Sequence, residues 1–415
     1  MNLMPQQDNE KTTLGTEHQP GPLDGLLIAD FSRVLAGPYC TMLLGDLGAE
    51  VIKVESPAGD DSRNWMPPDR NGVATYYMAI NRNKHSITLD LNDSADLHLA
   101  HELAARADVF IENFKPFGLK RFGLDYDSVQ QRNAGIIYAS ISGFGTAQGA
   151  SLPGYDLIVQ AMSGLMSLTG DPDGPAYRSG ISVFDVMAGL HATIGILAAL
   201  NYRNQTGEGQ HVEVSLLATA LSGMVNTTTA YVAGGVIPTR MGNAHPSLFP
   251  YESLPTADLD LIIAAGNNGQ FEKLCEILDL PELPQDPRFA NTKDRTRNRE
   301  ALRPLLVERL RTKTANEWFR MLSAAGVPCG PINNVEGGIM FAREIGLNPV
   351  VEVGVGDNAV PMIRHPISFS LTPPCHKLPP PSLGQDNEKI RAWLSQTIAF
   401  DPDEFNTERS YSEQD

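Results

Sequence analysis

The chain begins to pattern at Leu26-Leu27-Ile28-Ala29, a short apolar run that passes through Asp30-Phe31 to a Gly37-Pro38 turn. From Cys40 to Ala49 the apolar positions recur at helical spacing, and Glu50-Val51-Ile52-Lys53-Val54-Glu55 returns to a strand pattern. Strand, helix, strand in this length predicts a parallel pair with a right-handed crossover. A further cycle runs from the strand Ser86–Asp90 through a helix over Ala95–Ala105 to the strand Val109–Glu112. After another helix comes the strand Ile136–Ile141. This alternation predicts an α/β fold whose large domain is doubly wound and Rossmann-like, on a mostly parallel sheet.

Between Asp185 and Leu200 the residues are apolar nearly all round, which predicts a buried helix, too short at that length to span a bilayer. Gly207–Gln210 turns into the strand His211–Ser215, and a long helix should follow. The composition shifts near Gly234-Gly235. Beyond it lie the strand Leu261–Ala265 and helices around Phe271–Leu278, Arg299–Leu310 and Asn316–Ala325. After Gly330-Pro331 a Pro- and Gly-rich stretch leads to a terminal helix, Asn387–Ala399. The expected organisation is a polar tail over 1–21, the first part of the large domain over 22–225, and a linker with an active-site loop over 226–245. A smaller α+β domain over 246–330, a return segment over 331–400 that completes the large domain, and an acidic tail over 401–415 follow.

Length and charge then narrow the function. At 415 residues and 45.0 kDa the chain exceeds one ordinary core. Its formal charge of −17 and pI of about 4.9 imply long-range repulsion from phosphate, so neither nucleic acid nor an anionic membrane is an expected partner. An anionic small ligand needs a local positive pocket. Residues 288–313 run the other way, with nine Arg or Lys against three acids. They read as solvated helix faces or a partner-chain contact, because the aromatic residues of a nucleic-acid patch are missing. Without an apolar run of signal-peptide length at the start or a membrane-length apolar stretch, the expected compartment is the cytoplasm. Four scattered cysteines read as reduced and buried, and nine histidines lack metal-ligand spacing, so no metal is expected. GxGxxG, GxxxxGK[ST] and GxSxG are all missing from the sequence.

The informative stretch is Gly154-Tyr155-Asp156, then Gly170-Asp171-Pro172-Asp173-Gly174-Pro175, then Gly180 to Gly189. Asp185 falls where an apolar strand-like segment enters an apolar helix. There it is either an N-cap satisfied by backbone amides or a reactive carboxylate.

Several segments together carry a family resemblance: Asp30 to Pro38, Leu47 to Glu55, Asn81-Arg82-Asn83-Lys84, Ala107 to Phe114, Gly154-Tyr155-Asp156 and Gly242-Asn243-Ala244-His245-Pro246. From about Leu23 to about Leu394 the sequence resembles the CaiB/BaiF family of class III coenzyme A transferases, which includes formyl-CoA transferase, with the alpha-methylacyl-CoA racemases as relatives.

The resemblance implies Asp185 as a nucleophile that carries CoA as an aspartyl thioester through mixed anhydrides. Amides at the start of its helix, or in the Gly242–His245 loop, would serve the oxyanions. It implies that Tyr155 hydrogen-bonds the carboxylate or the thioester, with core packing as the plain alternative. His245 contacts the acyl carboxylate, shields the anhydride, or packs under Pro246. For CoA it points to Arg33, Val34 and Ala36, to Asn113 and Phe114, and to Arg121 with Lys53, Arg82 or Lys84 on the phosphates. Leu35 stands where formyl-CoA transferase has a glutamine, which argues against formyl-CoA and oxalate, while the resemblance of the His245 loop to dicarboxylate-using members implies acids such as succinate. The alternatives are a 2-methylacyl-CoA racemase, whose histidine base would be Tyr155 here, and a CoA-binding partner protein without activity. The family also implies a homodimer of interlocked, threaded chains.

Overall fold

The structure, a computed structural model, describes residues 20–396. The acidic tail, almost all of the polar start and the last three positions of the expected terminal helix lie outside the described residues, and within them that helix already ends at Leu394. The chain forms two compact units. Of the described residues, one holds 20–151, 188–215 and 350–396; the other holds 152–187 and 216–349. The second unit therefore takes up 152–187 and 216–225, which the sequence pattern assigned to the large domain, and runs on to 349 rather than ending at 330.

The first unit is built on six strands: β1 (Leu27–Asp30), β2 (Glu50–Glu55), β3 (His85–Thr88), β4 (Val109–Glu112), β5 (Ile137–Ser142) and β6 (Gln210–Ser215). All pairs are parallel, in the order β3-β2-β1-β4-β5-β6. Strands covered on both faces read as unbroken apolar runs rather than alternating ones. Accordingly Leu27 to Ala29, Val51 and Ile52, Val109 to Ile111 and Ile137 to Ala139 are all buried. Phe31, Phe110 and Tyr138 stack in series at 4.6 and 4.8 Å between ring centroids. Because the chain moves outward from β1 to β3 and then returns to β4, the strand order reverses between β1 and β4. Ligands of open α/β sheets bind in the crevice beyond the carboxyl ends of the strands at such a point.

Helix α1 (Ala36–Asp46) leaves β1 almost wholly buried, and α2 (Ser94–Arg106) is capped by Asp93, whose carboxylate accepts from the Ala95 and Asp96 amides. The last described helix, Asn387–Leu394, places Ile390, Trp393 and Leu394 in the same core. The Asn81–Lys84 motif binds this unit together from inside. Arg82 pairs with Asp46 at 2.6 Å and donates to the Ile363 carbonyl, Asn83 bonds the Cys375 carbonyl, and Lys84 meets Asp30 at 3.1 Å. Since Arg82 and Lys84 are buried and paired, they are not phosphate ligands, which corrects the expectation from sequence.

The second unit carries a three-stranded antiparallel sheet in which Asp260–Ala264 lies between Tyr251–Pro255 and Cys329–Pro331. Its core joins Phe271 and Leu274, Leu302 and Leu306, and Trp318 and Leu322 from three helices. Much of the basic stretch is spent here. Arg295 is fully buried, donating to the Phe249 and Phe289 carbonyls with its guanidinium over the Phe271 ring. Arg303 pairs with Glu252, Arg309 with Asp279 and Arg288 with Asp286. The long helix expected after residue 215 is two, Leu216–Gly223 and Val225–Val232, broken where Val225 takes φ +36.

The apolar helix is also longer than its pattern: Val183–Thr206, 24 residues, beginning in the second unit and continuing in the first. By length and composition alone it could cross a membrane, so length does not exclude that reading. Its Ala188, Ala192, Ile196, Ala199 and Leu200 are buried, whereas Leu190 and Ile194 are 41% and 63% exposed, so the helix is buried along one side and not all round as its sequence suggested. Of the cysteines, Cys40 and Cys275 are buried while Cys329 and Cys375 are only partly so; all four are free thiols.

Candidate active site

In the first unit the loops leaving β1 and β4 meet. The Asn113 carboxamide closes a reciprocal pair with Arg33: the Arg33 amide donates to Oδ1 at 2.8 Å, and Nδ2 donates to the Arg33 carbonyl at 2.7 Å. These two bonds join the loops at the point where the strand order reverses. The Arg33 guanidinium stands 5.5 Å from the Phe114 ring centroid. Ala36 is buried as the first residue of α1, and Arg121 is exposed on the turn Lys120–Phe122, its guanidinium over the Phe122 ring. The structure thus gathers Arg33, Val34, Asn113 and Phe114, with Arg121 further along the same loop.

Lys53 does not join them at the surface. It is fully buried, donating to Asp60 Oδ2 at 2.9 Å and to the Ser32 carbonyl at 3.0 Å. The expected phosphate contact is corrected accordingly, since a buried ammonium already bonded to a carboxylate and a carbonyl supports the turn from beneath. Glu112, the last residue of β4, accepts the Phe114 amide at 2.8 Å, and burial pushes its carboxyl up to about 7.

In the second unit Asp156 and Asp185 face each other. Phe184 and Asp185, in the first turn of the apolar helix, donate their amides to Asp156 Oδ1 at 2.8 and 3.2 Å, and Gln160 Nε2 donates to Oδ2. Gln160 is placed one helical turn after Asp156 and is fixed in turn by the Ser179 amide at 2.8 Å. Asp156 therefore performs the capping that the sequence pattern offered to Asp185. The Asp185 carboxyl is pushed up to about 7, chiefly by burial and then by the negative charge of Asp156. An Asp beside a helix N-terminus is normally favoured as the anion, so desolvation outweighs the dipole here.

Tyr155 precedes Asp156 and is 64% exposed, so core packing does not describe it. His245 is held on three sides. Its amide donates to the Tyr251 carbonyl at 3.1 Å, its carbonyl accepts from Arg299 at 2.9 Å, and its ring meets Tyr251 edge-on at 5.2 Å. Because Nδ1 accepts the Ser247 amide at 3.0 Å, the neutral ring carries its proton on Nε2. Gly242 takes φ +60, a conformation that favours glycine, and its amide bonds the Gly170 carbonyl at 3.0 Å. The loop is thereby tied to the Gly170–Pro175 stretch.

These bonds narrow one expectation, the Asn243 amide aside. The amides of Gly242, Ala244 and His245 bond to carbonyls, and those of Phe184, Asp185 and Val186 bond to Asp156 and Ser182, so these six are not spare oxyanion donors. Two residues that sequence reasoning gave no role, Asp156 and Asp60, prove central to the two groups. Their local signals were modest: a Gln four residues after Asp156, and a Ser two residues after Asp60.

Comparison with known proteins places the chain. A profile described as CoA-transferase family III matches residues 23–387. This chain belongs to that family. It is 41% identical over 385 residues to a succinate–glutarate CoA-transferase of Agrobacterium fabrum, covering 90% of this chain and 96% of the relative. With a human succinyl-CoA:glutarate CoA-transferase it shares 38% over 385 residues, 92% and 87% of the two chains. A CaiB/BaiF family crystal structure from Brucella suis superposes with a TM-score of 0.82 at 42% identity, covering 91% of this chain and all of that one. As a family III protein the chain is a CoA-transferase, with coenzyme A as the group it moves.

Proposed function

We propose that the protein transfers CoA between small dicarboxylic acids, with succinyl-CoA as donor and a succinate- or glutarate-sized acid as acceptor, and with Asp185 as the nucleophile. The observation that carries the residue assignment is the division of labour between the two aspartates: Asp156 takes the helix amides, and Asp185 is left partly buried beside it with a raised affinity for a proton. The dicarboxylates are supported by the relatives named for succinate and glutarate.

The chemistry balances in four steps. The Asp185 carboxylate attacks the donor thioester carbonyl, forming a mixed anhydride and expelling CoA thiolate. The thiolate attacks the aspartyl carbonyl, forming aspartyl-CoA and releasing the donor acid. The acceptor carboxylate attacks aspartyl-CoA, giving a second anhydride and thiolate. That thiolate attacks the acceptor carbonyl, which yields the new acyl-CoA and regenerates Asp185. With the helix amides spoken for, we assign the Tyr155 hydroxyl as a donor to the developing oxyanion. The loops carrying Arg33, Val34, Ala36, Asn113 and Phe114, with Arg121, receive CoA.

Incubation with succinyl-CoA followed by hydroxylamine should convert Asp185 to a hydroxamate, located by peptide mass. Labelling at any other carboxylate, or at none while transfer proceeds, sinks the assignment.

We also propose a homodimer of interlocked chains. Its support is the apolar surface left by one chain: Val225, Tyr231, Val232 and Ile237 are 60–82% exposed, more than a lone soluble chain commonly leaves in one stretch. Sedimentation should report twice the 45.0 kDa of the chain, and a monomer would refute the proposal.

A further inference from the structure

The chain leaves β1 in a conformation that its sequence resists. Val34 has φ +70, in the left-handed region, where a β-branched residue is a genuine outlier. Such strain persists only where the surroundings over-determine it, and collects at ligand clamps. Here the surroundings are explicit. The Val34 amide donates to both carboxylate oxygens of Asp60, at 3.3 and 3.2 Å. Asp60 is buried and also accepts the Ser62 amide and hydroxyl at 2.9 and 2.8 Å, so its oxygens have fixed directions. Lys53 bridges Asp60 and the Ser32 carbonyl, gripping the turn on the other side of Arg33. Asn113 clamps Arg33 itself. Close approach limits escape as well: a Cβ on Gly37 would lie 2.2 Å from that of Ser32, so the chain passes directly over the turn.

We propose that the buried Lys53–Asp60 pair is a positioning device, holding Val34 in its left-handed conformation so that the main chain of Arg33 to Ala36 is preformed for coenzyme A. This rests on the reading of that turn as part of the CoA site. Neither Lys53 nor Asp60 touches the ligand. They act through the backbone, and the strain at Val34 is the part of the structure they support. A turn already in shape spares the ligand the cost of ordering it.

The test couples the two positions. Asp60→Asn is expected to weaken binding of free CoA about 10-fold while changing kcat less than about twofold. Glycine adopts positive φ without penalty. In a Val34→Gly background, then, Asp60→Asn should weaken CoA binding no more than about threefold relative to Val34→Gly alone. Lys53→Arg, which keeps the charge and alters the reach, is measured in the same two backgrounds as a second variant and should show the same suppression. Equal losses of affinity in both backgrounds would overturn the proposal, as would a fall in kcat with binding unchanged, because a merely structural pair would not know whether residue 34 is valine or glycine. If the unmutated protein binds no CoA, the ligand assignment of the turn fails. The device itself is then judged by thermal unfolding, where coupling between positions 34 and 60 upholds it and additivity refutes it.

Discussion

Replacing Asp185 by Asn should abolish CoA transfer, by about 10⁴-fold or more, and at the same time raise the protein's thermal midpoint at pH 8. The loss follows from chemistry: the amide cannot form the anhydride, and removal of a covalent nucleophile usually leaves only the residual effect of binding. The gain follows from electrostatics. Burial and Asp156 raise the Asp185 carboxyl from 3.8 to about 7, so its ionisation in the folded protein works against folding. At about 1.36 kcal/mol per pKa unit the ceiling is about 4 kcal/mol, and relaxation around the site should leave about 2 kcal/mol. The sign gives the pH window. The folded-state pKa lies above the unfolded one, so the penalty is full above about pH 7 and gone below about pH 4. The stabilising effect of Asn should fade over that range.

As the proposed nucleophile, the same carboxyl must be ionised to attack, so wild-type kcat/KM should climb as pH rises through about 7. Asp156→Asn should move that limb to lower pH, though not to the ordinary carboxylate range, because burial is the larger cause. A pH-independent rate between 5 and 8, or an Asp185→Asn protein that is less stable at pH 8, would contradict this account.

Lys53→Met should cost about 3–5 kcal/mol of stability, the largest single effect expected outside Asp185. Lys53 faces Asp60, with Asp30 and Glu55 also acting on it, and those charges hold its ammonium protonated in spite of complete burial. Its removal leaves the Asp60 carboxylate without a counter-charge in the interior. In the intact protein the Lys53 charge and the Ser62 bonds hold the Asp60 carboxyl down at about 2, against the desolvation that would raise it. A depressed carboxyl contributes stability above about pH 4 that is lost as pH falls towards 2. The difference between Lys53→Met and wild type should therefore be large at pH 7 and smaller at pH 3, as read by urea unfolding. A loss that is the same at both pH values would show that packing of the methylene chain, rather than charge, is what Lys53 supplies.

Much of the fold was legible because local physics repeats along the chain. The strands at Leu27, Val51, Val109 and Ile137 are apolar on both faces, and the helices between them have the spacing of a covered sheet. The Rossmann-like order follows from that alternation with little freedom left. What misled was charge. Lys53, Arg82 and Lys84 are polar letters near strand ends, and position along the chain does not distinguish a cation aimed at solvent from one that closes a buried pair with a carboxylate far away in sequence. Arg82 finds Asp46 and Lys84 finds Asp30, partners that only the crossing of strands brings near.

The proposed nucleophile shows the same division. The sequence by itself determined that an aspartate stands at the entrance of an apolar helix, and motif resemblance singled out Asp185. It could not say which of two aspartates caps the helix, because that depends on where the segment carrying Asp156 comes to rest. Nor could it show that Val34 is held at φ +70, since a backbone angle imposed by Asp60, Lys53 and Asn113 leaves no mark on the identity of residue 34. Apolar periodicity is a local property and is written in the chain. Burial of charge and strain in the backbone are set by contacts between distant segments, and only the tertiary structure decides them.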